Sequence, residues 1–142
     1  MRRIALILII SLSALATCAP RIAWYSPAAY ATAVDLKVET RALALKAAEP
    51  YAGHAAAVDA LLLKLEKAFE YARGIPDNQL AARQWEIIRA PQGELAGGFF
   101  RQWKEQGALD PAFVAEKARQ IDLAFDQIIG LEGSKDRRTR EE

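Results

Sequence analysis

Two stretches of this chain place an apolar residue at every third or fourth position. The first is Val58, Leu61, Leu62, Leu65, Phe69 and Ala72; the second is Val114, Ala118, Ile121, Phe125 and Ile128. A helix turns once in about 3.6 residues, so this spacing lines one side of a helix, whereas a strand would alternate every second residue. Lys64, Glu66, Lys67, Glu70 and Arg73 occupy the opposite side of the first stretch. Each seam leaves water only by packing on another element of the same kind, which commits the chain to helices laid against helices.

Proline and glycine divide the rest into further helical segments. Ser26-Pro27 offers a cap and a first-turn proline for a helix over 27–49, with Tyr30, Val34, Val38, Ala42 and Leu45 as its apolar stripe. Leu36 and Leu43 widen that stripe, and Pro50 and Gly53 interrupt the chain. The seam of Val58 to Ala72 predicts a helix over 55–73, with Gly74 as its C-cap and Pro76 blocking continuation. Asp77 or Asn78 can cap a helix over 79–89, and Ala90-Pro91-Gln92-Gly93 is a turn signal. A short helix over 94–106 contains Gly97-Gly98, which costs roughly 1 kcal/mol per glycine and suits a close backbone approach. Asp110-Pro111 opens a last helix that Gly130 and Gly133 end. Alanine is abundant while valine, threonine and isoleucine are sparse beyond residue 18, a bias toward helix over strand. The expectation is an all-α bundle of four or five helices over 28–131. A charged segment without large apolar residues, 132–142, reads as a disordered tail.

The N-terminus has another character. Arg2 and Arg3 precede a mostly apolar run from Ile4 to Leu15, about a dozen residues, too short for a membrane span of roughly 20. This is the pattern of an export signal over 1–17. The run ends in Leu15-Ala16-Thr17-Cys18, which resembles the lipobox of bacterial lipoproteins, although Thr17 stands where that family has Gly, Ala or Ser. The resemblance covers only the leader. It implies that Cys18 becomes the first mature residue and carries palmitate-type acyl chains, and Ala19 after it implies sorting to the outer membrane, facing the periplasm. Cleavage after Ala16, in the pattern Ala14-Leu15-Ala16, is the alternative, and it yields a soluble periplasmic protein with a free thiol. Cys18 is the only cysteine, so no intramolecular disulfide can form. Residues 18–27 read as a tether, in which Trp24 and Tyr25 either rest at the lipid–water interface or fold back on the domain.

Removing Arg2 and Arg3 with the leader leaves 17 Lys and Arg against 18 Asp and Glu, a formal charge of −1. No basic run interleaved with aromatics occurs, so nucleic acid is not an expected partner. His54 is the only histidine, and its place between Gly53 and an alanine-rich stretch suggests a loop or first-turn residue rather than a metal ligand or base. Glu66 and Glu70, like Asp122 and Asp126, read as solvated helix faces. No phosphate loop, nucleophile elbow or zinc spacing is present, and no cofactor is expected. The charged run Lys135-Asp136-Arg137-Arg138-Thr139-Arg140 reads as a solvated terminus.

Arg83-Gln84-Trp85-Glu86 and Arg101-Gln102-Trp103-Lys104 are near-repeats 18 residues apart. Paired tryptophans flanked by Arg83 and Arg101 suit an interface anchor for a protein partner; equally, a small bundle needs bulky core residues, and both tryptophans fit that role. The sequence therefore predicts a non-enzymatic envelope lipoprotein that binds another envelope protein, with self-association through the helix seams as a variant. A carrier of small apolar ligands near Phe99, Phe100 and Phe125 is the alternative.

Overall fold

A computed structural model describes the backbone of residues 22–139 and the side chains of 22–136. The export signal, Cys18 and residues 140–142 lie outside the described residues. Five α-helices occur among those described: α1 (Pro27–Ala44), α2 (Ala55–Gly74), α3 (Gln79–Arg89), α4 (Ala96–Gln106) and α5 (Pro111–Thr139), with a 3-10 turn at Tyr51–Gly53. Neighbours in the bundle follow the order α1, α2, α3, α5 and back to α1, while α4 packs over α2, α3 and the 3-10 turn. Lys37–Asp126 and Arg41–Asp122 pair α1 antiparallel with α5, and Arg89–Glu66 links α3 to α2. The architecture is an up-down-up-down bundle whose far end is closed by α4.

The caps act as the sequence suggests at two helices. Ser26 Oγ accepts from the Ala29 N–H at 3.2 Å with Pro27 in the first turn, and Asp110 Oδ1 accepts from Ala112 and Phe113. Both seams lie inside: Val58, Leu61, Leu65 and Ala72 of α2 and Val114, Ala118, Ile121, Phe125 and Ile128 of α5 are buried. Gly97 and Gly98 serve the expected close approach. A Cβ on Gly97 would sit 2.1 Å from the Arg89 carbonyl oxygen, and one on Gly98 would sit 1.7 Å from that of Gly93.

Four expectations need correction. The predicted α1 stripe is not the buried face: Ala33, Leu36, Thr40, Ala44 and Ala47 face the core, while Tyr30, Val38, Ala42 and Leu45 are exposed. The two faces lie about 140° apart around the helix. The α-helical part of α1 also stops at Ala44, with turns filling 45–49. At the α2–α3 junction, Gly74 remains helical and the left-handed residue is Asp77, at φ 59°. Asn78 stands at the cap position without capping, because its side chain turns inward.

The fourth correction concerns the end of the chain. Gly130 and Gly133 do not stop α5, which runs on to Thr139, and Glu132 and Lys135 are buried. Residues 132–136 thus belong to the domain and not to a tail, and Lys135 is no part of a solvated terminus. A charged segment stays helical here because its two buried charges meet each other and Asn78.

Candidate interaction surface

Trp85 and Trp103, the tryptophans of the near-repeats, are 3% and 0% exposed. They do not form an exposed anchor; the core reading of this pair holds. Trp85 meets the Phe125 ring edge-on in mid-bundle, and Trp103 lies at the far end against Tyr51 and His54. The Trp103 indole donates to the Glu49 carbonyl at 2.9 Å, which ties α4 to the loop after α1. Tyr51 N–H to Gly107 O and Leu109 N–H to Ala47 O secure the same closure. Arg83 is exposed and pairs with Glu86, while Arg101 donates to Pro91 O and to Glu105. The near-repeat thus places its aromatics inside and its arginines outside, on two helices separated by a break.

His54 precedes α2, and its Nε2 lies 2.7 Å from Glu49 Oε2. That pairing orders the far-end loop. Among the described residues no group of three His, Cys, Asp or Glu side chains is placed to hold a metal ion. Nearby, burial pushes the Tyr51 phenol above its ordinary value, and the charge of Asp59 adds to the shift. Phe99, Phe100 and Phe125 are buried; Phe99 packs edge-on against Phe100, and Phe125 against Trp85.

The surface that sequence reasoning missed is the outer side of α1. Val38 is 62% and Leu45 54% exposed, one on each side of Ala42. With Lys37 and Arg41 they line a hollow of about 320 Å³. Lys37 and Arg41 are held by Asp126 and Asp122 of α5, so the basic edge of this strip is fixed in place. On its other side α1 meets α2 along a groove bridged by Lys64 and Glu39 at 2.7 Å. Val38 and Leu45 turn branched apolar side chains to water, and each such side chain gains about 1.5–3 kcal/mol on full burial. The signal was present in the sequence as an apolar stripe; only its orientation could not be read.

Comparison with protein-family models, with curated proteins and with solved structures finds no match to this chain. No helix of the described residues is long and apolar enough to cross a membrane.

Proposed function

We propose that the protein is an exported, non-enzymatic lipoprotein of the cell envelope: a helical module, anchored through Cys18 in the outer membrane, that docks another envelope protein. The leader of Arg2, Arg3 and the apolar run to Leu15, followed by Leu15-Ala16-Thr17-Cys18, supports export and lipid attachment. The exposed Val38–Leu45 strip supports docking, and it replaces the tryptophan pair as the motive for a partner. Lys37 and Arg41 at its edge are already paired with Asp126 and Asp122, so the strip offers a partner an apolar centre beside charge-balanced pairs.

Mild crosslinking in cells followed by purification tests the reading. The wild-type chain should bring down one stoichiometric partner, and Val38→Asp with Leu45→Asp should lose it while helix content stays unchanged. Equal recovery with that double variant would sink the assignment to α1, and a ladder of the chain with itself would make it a self-association surface. Incorporation of a fatty-acid analogue, present in the wild type and absent in Cys18→Ala, checks the anchor.

A further inference from the structure

The chain leaves the domain at the end where α1 starts, α2 stops and α3 starts, and it is fastened there. Ala23 is buried and donates its N–H to the Asp77 carbonyl at 3.1 Å, while Ser26 Oγ lies 3.0 Å from the Tyr71 hydroxyl. Trp24 follows at once and is 68% exposed. The same end exposes Leu80 in the first turn of α3 and Tyr71 in the last turns of α2, with Pro76 between them. Arg73 is paired there with Glu70, and Asp77 stands at the junction.

We infer that this end is a membrane-seating surface, in which Trp24, Tyr71 and Leu80 rest at the lipid–water interface. The inference builds on the lipid-anchored reading of Cys18. Ala23 lies five residues after Cys18, a distance that an extended chain spans in at most roughly 18 Å. The far end of the bundle lies about 27 Å beyond, from the 18 residues of α1, so it cannot face the membrane head-on within that reach. A short leash fastened at Ala23 brings this end to the bilayer. Aromatic rings with one polar edge are the side chains that the interface favours. A seat made by these apolar and aromatic side chains should form on phosphatidylcholine as well as on phosphatidylglycerol.

Tryptophan fluorescence tests this, since Trp85 and Trp103 are buried and Trp24 alone among the described residues is open to an external quencher. The protein purified from membranes is reconstituted into vesicles of phosphatidylcholine or phosphatidylglycerol, with and without brominated acyl chains, and its intact mass is recorded. The expected result is an acylated protein whose Trp24 emission is largely quenched by brominated lipid and shielded from aqueous acrylamide, equally in both lipids. Trp24→Phe should abolish the quenching, and Leu80→Asp should reduce it at unchanged helix content. An acylated protein with Trp24 open to acrylamide, quenching confined to the anionic lipid, or full quenching in Leu80→Asp would overturn the seat and leave the anchor standing. An unmodified Cys18 would overturn the anchor and the seat together.

Discussion

Lys135, at 3% exposure, donates to Asn78 Oδ1 at 2.6 Å and to Glu132 Oε1 at 2.7 Å, and Asn78 in turn donates to the Ala72 carbonyl. Three buried polar residues therefore join the end of α5 to the α2–α3 junction. Glu132 Oε2 has no hydrogen-bond partner among the described residues. Such a cluster specifies position more than it adds stability, because taking two charges out of water offsets most of their attraction. Removing one member is the costly change. Lys135→Met should lower unfolding free energy by about 3–5 kcal/mol, by leaving Glu132 buried and uncompensated. The double variant Glu132→Leu with Lys135→Leu should recover most of that loss. Urea denaturation of the three proteins decides it; equal stability of Lys135→Met and wild type would show that the pair is not buried in solution.

The elements differ in how they use glycine. In α4, the carbonyls of Arg89 and Gly93 occupy the space where side chains at 97 and 98 would stand. Gly98→Ala should cost at least about 1–3 kcal/mol, since backbone and not a flexible side chain must move. In α5, nothing lies within 4 Å of a Cβ at Gly130. There Gly130→Ala should stabilise by about 0.5–1 kcal/mol, the usual gain for alanine inside a helix. Opposite shifts in Tm for the two variants are the expected outcome, and shifts of the same sign would contradict the close approach of α4 to the turn at Gly93. The expectation that Gly130 and Gly133 end the helix failed for a related reason. A glycine weakens a helix by only about 1 kcal/mol, and burial of Leu131's neighbours Glu132 and Lys135 beside Asn78 carries α5 through both.

For the whole molecule, stability rests on packing alone, as a chain with one cysteine has no internal disulfide. Its melting temperature should be the same with and without reductant, and a drop on reduction would reveal an intermolecular bridge through Cys18. The bundle has two differently made ends. One is closed by α4, with Trp103 and Leu109 hydrogen-bonded to the loop after α1, and the other is held by the Lys135 network and by Ala23. The proposed partner surface runs along the side between them, so a membrane-seated domain would leave α1 accessible to a second envelope protein.

The helices and their breaks were legible because they follow from local rules: 3.6-residue spacing at Val58–Ala72 and Val114–Ile128, caps at Ser26 and Asp110, and prolines at 27, 76, 91 and 111. The sequence also determined that no internal crosslink exists and that the chain folds without strands among the described residues. Which side of α1 goes inside was decided by tertiary contacts. Ala33, Leu36, Thr40 and Ala44 fit between α2 and α5, and Lys37 and Arg41 reach Asp126 and Asp122, so Val38 and Leu45 are left facing water. The inward turn of Asn78 toward Lys135, 57 residues away, has the same origin. Hydrophobicity along one helix states that a face exists; what it meets depends on residues that only folding brings near.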